Sequence, residues 1–306
     1  MSTNPLYGPR MKLRRARMHV DSLKTQSETF FSRPPHPYVV TCEAKPEAGE
    51  YEYRVSVRQP FPEMISLIAG DAIHNFRSAL DHLAWRLSMD FTPGMNVEER
   101  SVQFPIFDTQ VGFESRGLSR CRFMGPKAKS IISAVQPYHA PEPALSFLSI
   151  LSKLDNIDKH KLLTVCGAAF ETGEYIGRGL PIAGQSTVDV TWNVAPIEDG
   201  MVILRIGLQV PQKDFDPHLK VSYQVVFSEQ PSAYSCLPVV YNLEGIDKAV
   251  KFIIDLFEPA YISGVYDDGA LTAGENLDFL RGTGGFSVDS VGWHFGLASS
   301  TESAPP

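Results

Sequence analysis

The sequence predicts an α+β fold: a helical bundle core at about residues 60–165 and 243–257, an N-terminal β-hairpin, and a β-rich segment at about residues 186–227. Apolar residues recur every three or four positions through the core regions, which is typical of amphipathic helices. Alternating or continuous apolar runs separated by Gly and Pro mark the β regions. The chain has 306 residues, of which 43% are hydrophobic and 21% charged, so it is long and apolar enough to bury a core without disulfides.

The N-terminal third begins with a polar, basic stretch at about residues 9–30, with apolar side chains at loosely helical spacing. The prolines within residues 33–37 end any helix there, because proline lacks an amide donor and disfavours helix in the preceding residue. Two β-type runs, residues 38–43 and 51–57, flank a turn at residues 45–49. This pattern predicts a hairpin.

The core helices follow. The longest predicted helix spans about residues 60–87 and carries a wide apolar stripe, as expected of a central bundle helix. A region rich in Pro, Gly and charge precedes a short helix at 126–135, and a second long helix starts near residue 141 and ends at 160–163. The last predicted helix is 243–257.

Three short runs, residues 188–194, 202–208 and 221–227, predict strands. We therefore expect residues 1–257 to form a single mixed domain. Gly, Ser, Asp and Pro dominate residues 258–306, which predicts an irregular region ending in a disordered tail at Ser299–Pro306.

Charge and cysteine usage narrow the class of protein. There are 28 Lys and Arg against 35 Asp and Glu, a net charge of -7, which argues against a DNA-coating role but allows a local basic patch. The four cysteines form no Cys-x-x-Cys pair, as expected of reduced thiols in the cytoplasm. The N-terminus lacks the apolar stretch of a secretory signal, and no apolar run approaches the length that crosses a membrane.

Two segments interrupt the apolar pattern of the core helices with polar side chains: residues 70–83 and residues 154–163. We expect the two segments to meet in space and form one chemical environment. The candidate site residues are Arg77 and His82, supported by His74, Asn75, Ser78, Asp81, Asp155, Asn156, Asp158, Lys159 and His160.

The segment Arg77-Ser-Ala-Leu-Asp-His82 resembles the Arg-x4-His motif of HEPN-like domains, helical bundles that often act as metal-independent endoribonucleases in toxin and antiphage systems. The two polar segments also resemble those of a group of bacterial proteins of unknown function. The resemblance implies that Arg77 holds the scissile phosphate of an RNA and that His82 activates or positions the 2′-hydroxyl group. It further implies a cleft across a homodimer interface and no cofactor. The same spacing recurs in Arg14 to His19.

Two other interpretations of these residues stay open. Arg77 and Asp81 have the i,i+4 spacing of an ion pair, so the polar strip can be a structural hydrogen-bond network in a non-catalytic binding or assembly protein. The strip also contains ligand types for Zn or Fe, which would make a metal-binding helical domain. His74 and His82 lie about two turns, or ~12 Å, apart along a helix, so one ion cannot bind both.

Overall fold

The computed structural model describes residues 4–91, 102–178, 188–192, 195–208, 216–228, 238–258, 286–289 and 292–295. The α-helices are α1 (Tyr7–Ser32), α2 (Glu63–Phe91), α3 (Gln110–Gly112), α4 (Leu118–Arg120), α5 (Pro126–Ala134), α6 (Phe147–His160) and α7 (Val239–Leu256). The strands are β1 (Tyr38–Lys45), β2 (Glu50–Val57), β3 (Val165–Arg178), β4 (Val188–Trp192), β5 (Val202–Leu208), β6 (Asp216–Phe227), β7 (Phe286–Asp289) and β8 (Gly292–Phe295). A π-helical turn, Phe113–Gly117, joins α3 to α4.

The long helices α1, α2, α6 and α7 pack around one hydrophobic core. Neighbouring helices run antiparallel: Gly8 at the start of α1 lies beside His82 near the end of α2, and Gly70 of α2 lies beside Asp158 at the end of α6. The α+β prediction, with a helical core, an N-terminal hairpin and later β structure, is confirmed.

Helix α1 belongs to this bundle, although the predicted core began at about residue 60. Its buried residues alternate at spacings of four and three; they are Pro9, Leu13, Ala16, Val20, Leu23 and Ser27. Several of these side chains are small, which suits close helix packing but weakens the apolar signal in the sequence. Met11 and Met18, which stand out in the sequence, are 42% and 53% exposed.

The basic residues of α1 pair with acidic residues of α7. Arg10 contacts Asp255 at 2.9 Å, Arg17 contacts Asp247 at 2.6 Å, and Lys24 contacts Glu244. The three cations are seven residues apart and therefore lie on one side of α1. Much of the basic charge at the N-terminus is thus used to align α1 with α7.

The β structure contacts the end of α1 through an aromatic cluster in which Phe31 packs against Tyr38 and Tyr223. Strands β1, β2, β5 and β4 form an antiparallel sheet in the order β1-β2-β5-β4, and β3 pairs with β6 in a second, two-stranded sheet. Tyr38 of β1 packs edge-on against Tyr223 of β6, with ring centroids 5.2 Å apart. The β structure begins at Val165, directly after α6, which is earlier than the predicted start near residue 186.

Strands β7 and β8 pair as a short hairpin, Phe286–Asp289 with Gly292–Phe295, within the region predicted to be irregular. Most of the region 258–306 lies outside the described residues, as does the predicted tail Ser299–Pro306. Among the helices that the structure describes, none has both the length and the apolar character needed to cross a bilayer.

Candidate functional site

Arg77 and Asp81 lie on adjacent turns of α2 and form a closed network with the backbone of Phe104. Arg77 donates from Nε to Asp81 Oδ2 at 3.2 Å and from Nη2 to Asp81 Oδ1 at 2.9 Å. Nη2 also donates to the Phe104 carbonyl at 2.7 Å, while the Phe104 amide donates to Asp81 Oδ1 at 2.9 Å. The pair therefore ties both backbone polar groups of Phe104 to α2.

The Arg77 side chain is only 9% exposed and that of Asp81 is 31% exposed. Of the five guanidinium hydrogens, only the two on Nη1 have no partner among the described residues. Three of the five donor hydrogens of Arg77 are thus used within the protein. In the scissile-phosphate role implied for Arg77, a phosphate would be held through Nη1 unless the Asp81 or Phe104 contact were released.

A different pair of predicted residues brings the two polar segments together. His74 Nδ1 of α2 lies 3.9 Å from Asp155 Oδ1 of α6, and Ser78 Oγ lies 3.4 Å from His74 Nε2. Asp155 is buried and accepts a hydrogen bond from Lys159 Nζ at 2.5 Å. This contact joins α2 to α6 on the side of α2 that carries His74, and Arg77 takes no part in it.

Asp158 sits one turn from the His74–Asp155 contact, against Gly70. A Cβ at position 70 would overlap the Asp158 carboxyl group, so a larger residue there would require the Asp158 side chain to move. Burial raises the pKa of Asp158, the nearby Asp155 and Asp71 charges raise it further, and a hydrogen bond from the Leu163 backbone opposes them. Asp158 therefore carries an unfavourable charge at the end of α6.

His82 faces α1, where its Nδ1 approaches Gly8. His82 is exposed as a residue, but partial desolvation against α1 lowers its pKa, and the positive charge of Lys12 lowers it further while Asp81 opposes both. The imidazole is therefore neutral at pH 7 and able to accept a proton. No hydrogen bond joins His82 to Arg77 within the described residues, so the two halves of the Arg-x4-His motif do not share one contact.

The other predicted residues take peripheral positions. Asn75 donates to the Asp71 backbone carbonyl at 2.8 Å within α2. Asn156 and His160 are exposed near the end of α6. In the second Arg-x4-His match, Arg14 is exposed, and His19 Nδ1 lies 3.9 Å from Asp71 Oδ2.

Over the part of the chain that the structure describes, no three His, Cys, Asp or Glu side chains are grouped so as to hold a metal ion.

A second cationic region lies beside the Arg77 network. Between Ser115 and Pro141 the sequence contains five Lys or Arg residues and no Asp or Glu. The sequence predicted only irregular, charged structure there up to residue 125, but residues 110–120 are helical. The guanidinium carbons of Arg116 and Arg120 lie 5.5 Å and 5.4 Å from the Phe107 ring centroid.

Arg122 adds a third contact of the same kind, 4.7 Å from the centroid of Phe123. We call the set of these residues the arginine–phenylalanine surface; its members are Arg116, Arg120, Arg122, Phe107 and Phe123. Each ring holds its guanidinium groups by cation–π attraction. The acid-free run of sequence is the signal that marks this surface, whereas the predicted site residues all lie on α2 and α6.

Arg120 is the most constrained cation of the surface. Burial lowers the pKa of Arg120, and the positive charges of Arg77 and Arg116 lower it further. The negative charge of Asp81 raises it. Neither Arg116 nor Arg120 has a carboxylate within ion-pair distance in the described ranges. Asp81, the acid close to both Arg77 and Arg120, is already bound to Arg77. The arrangement therefore concentrates positive charge that an external anion would neutralise.

Comparisons of this chain with models of known protein families, with curated proteins and with solved structures find no match. The likeness to HEPN-like domains accordingly rests on the spacing of Arg77 and His82 and on their place in a long helix.

Proposed function

We propose that the protein binds single-stranded RNA on the arginine–phenylalanine surface. The observation that carries the proposal is the pair Arg116 and Arg120, both held over Phe107 without a carboxylate partner in the described chain and adjacent to the Arg77 network. The positive charges of Arg77, Arg116 and Arg120 repel one another, and a bound anion would relieve this repulsion.

The geometry suits a nucleic acid better than an isolated anion. A guanidinium group that stacks on a ring keeps its edge free to donate to phosphate oxygens, and its outer face can receive an unpaired base. Arg122 on Phe123 repeats the arrangement nearby. Rows of arginine and aromatic side chains are what single-strand binding sites use, because phosphate contacts supply affinity and stacking is tolerant of sequence.

The Arg77 network holds the segment that leads to Phe107. It fixes Phe104, three residues before Phe107, to the buried face of α2. Phe107 is itself held by a hydrogen bond of 3.0 Å from its amide to Gln136 Oε1. In this proposal Arg77 and Asp81 contribute to the stability of the fold beside the surface, and the cations that contact RNA are Arg116 and Arg120.

Binding of a fluorescein-labelled single-stranded RNA of about 12 nucleotides, followed by anisotropy, tests the proposal. We expect Arg116→Ala with Arg120→Ala to weaken binding by about tenfold, because two solvent-accessible phosphate contacts contribute less than the about 1.5–3 kcal/mol that each would give when fully formed. The matched control is Arg54→Ala with Arg205→Ala, which removes two cations that pair with Glu52 on the β sheet.

Equal loss of affinity in the two double variants would contradict the proposal, because it would show a response to net charge alone. A single-stranded DNA of the same sequence and a duplex RNA complete the set. We expect the duplex to bind more weakly than the single strand, since its bases are not available for stacking.

A second candidate function is RNA cleavage of the HEPN-like kind, which the neutral form of the His82 imidazole favours. Its imidazole is neutral at pH 7 and lies on the same helix as the Arg77 network. In that reaction a neutral His82 nitrogen takes the proton of a 2′-hydroxyl as the oxygen attacks the adjacent phosphorus. The bond to the 5′-oxygen then breaks, leaving a cyclic phosphate and a 5′-hydroxyl after protonation.

Incubation of the purified protein with total RNA in EDTA tests cleavage. We expect RNA to be cut by the wild type and to stay intact with His82→Ala, provided that the melting temperatures agree. Intact RNA with the wild type, while the labelled strand still binds, would eliminate the enzymatic function and retain the binding function.

A further inference from the structure

A cavity of about 760 Å³ lies between α1, β6 and α7, and its lining includes no residue of the arginine–phenylalanine surface. Its size is within the range of about 300–1,000 Å³ that small-molecule sites occupy. The lining alternates between rings and charged groups: Phe31 from α1, Tyr223 from β6 and Tyr241 from α7 supply the rings.

Two of the aromatic side chains in the lining contact each other. Phe31 and Tyr223 stack with ring centroids 5.8 Å apart and an interplanar angle of 24°. Burial raises the pKa of Tyr223 and of Tyr241, so both phenols are neutral at pH 7. The wall therefore offers ring faces and neutral hydroxyl groups, and no tyrosinate.

The charged part of the lining has an excess of acid. Lys24 bridges to Glu244 across the gap between α1 and α7. Glu28, one turn further along α1, is exposed and has no ion-pair partner in the described part of the chain. The lining thus contains two carboxylates, those of Glu28 and Glu244, and one ammonium group, that of Lys24. A bound cation would offset this imbalance.

We propose that this cavity binds a small organic cation, an amine or quaternary ammonium group on an apolar or aromatic body. Ring faces attract a cation through their quadrupoles, and the attraction is strongest where the cation is poorly solvated. Glu28 supplies the opposite charge, while Phe31 and Tyr223 cover the apolar body. An anion of the same size would meet two carboxylates and one lysine that is already paired.

Isothermal titration of the full chain with benzyltrimethylammonium, and with 3-phenylpropionate as an anion of similar size, tests the proposal. We expect saturable binding of the cation and no binding of the anion. Glu28→Gln should weaken cation binding at least fivefold, and Phe31→Leu should also weaken it, because the cavity loses a ring face. Glu47→Gln, which removes an exposed carboxylate from the β1–β2 turn, is the matched control and should bind like the wild type.

Binding of both probes alike would overturn the proposal, as would absence of cation binding at about 10 mM, a concentration above that expected for weak small-molecule sites. Equal behaviour of Glu28→Gln and Glu47→Gln would overturn it as well, because the charge of the cavity would then play no part. Melting curves of each variant confirm that Phe31→Leu is folded before its binding is compared.

Discussion

Arg77 and the pair Arg116 and Arg120 are neighbouring cations with opposite surroundings. Arg77 is buried and spends three hydrogen bonds on Asp81 and Phe104, whereas Arg116 and Arg120 contact the Phe107 ring and, in the described chain, no carboxylate. The motif arginine is thus engaged within the fold, whereas the two arginines outside the motif have the surroundings that our proposal assigns to anion binding. An arginine's partners, rather than its presence in a motif, indicate its role.

The largest effect should come from Arg77→Ala, which leaves the Asp81 carboxylate and the Phe104 carbonyl without their donor. We expect a loss of about 2–4 kcal/mol in the free energy of unfolding, below the upper range for buried pairs because Asp81 is partly exposed. Urea denaturation followed by circular dichroism measures it.

The matched control is Arg86→Ala on the same helix. Arg86 pairs with Asp90 at the same i,i+4 spacing, with Nη2 and Oδ1 2.6 Å apart, but its side chain is 43% exposed. Removing that pair should cost only about 0.2–0.5 kcal/mol. Similar losses in the two variants would show that burial and the Phe104 contact do not distinguish Arg77.

The next largest effect is on the salt dependence of RNA binding. If Arg116 and Arg120 each neutralise one phosphate of a single strand, their joint removal should reduce the slope of log affinity against log salt by about 1.4. Anisotropy titrations between about 50 and 200 mM salt give the slope. An unchanged slope would place the phosphate contacts elsewhere on the protein.

A smaller effect, on the pH dependence of stability, is expected at Asp158. Asp81, by contrast, is paired with Arg77. Because the folded-state pKa of Asp158 is raised above its ordinary value of 3.8, stability falls as pH rises from that value through the folded-state pKa. Asp158→Asn removes this penalty and keeps an acceptor for the Leu163 amide. We expect the variant to melt above the wild type at pH 7, with the gap closing toward pH 3.

A melting temperature that is lower in Asp158→Asn at pH 7 would mean that the carboxylate stabilises the end of α6. Ser130→Ala, at an exposed position of α5, serves as a comparison for the effect of an unrelated substitution on the pH profile.

The smallest expected change is in the titration of His82. Its pKa should lie below the ordinary value of 6.5, and Lys12→Ala should move it upward because one opposing charge is removed. Histidine proton signals in NMR spectra followed from pH 5 to pH 8 give both values. A pKa above 6.5 in the wild type would remove the support for His82 as a neutral base.

Much of the fold could be predicted from the sequence, because long apolar stripes at helical spacing define α2, α6 and α7 without knowledge of their partners. Helix α1 was harder to place in the core. Ala16 and Ser27 occupy its buried seam, and only the neighbouring helix shows that such small side chains are buried. The start of β3 also depends on pairing with β6, a strand that lies about 50 residues later.

The candidate site was predictable only in part. The i,i+4 spacing of Arg77 and Asp81 indicates an ion pair, but the Phe104 backbone that completes the network lies more than 20 residues away in sequence. The acid-free run between Ser115 and Pro141 is visible in the sequence, whereas the position of Phe107 beneath Arg116 and Arg120 is a tertiary contact. Local spacing therefore indicates the Arg77–Asp81 pair and not the contacts of Arg116 and Arg120 with Phe107.

The most direct measurement determines unfolding free energy and RNA affinity side by side for Arg77→Ala and for Arg116→Ala with Arg120→Ala. We expect the first variant to lose stability while its folded fraction binds RNA within about twofold of the wild type. The second should lose about tenfold in affinity and stay within about 0.5 kcal/mol in stability. The opposite pattern, a stable Arg77→Ala that no longer binds RNA, would contradict the assignment of the two roles.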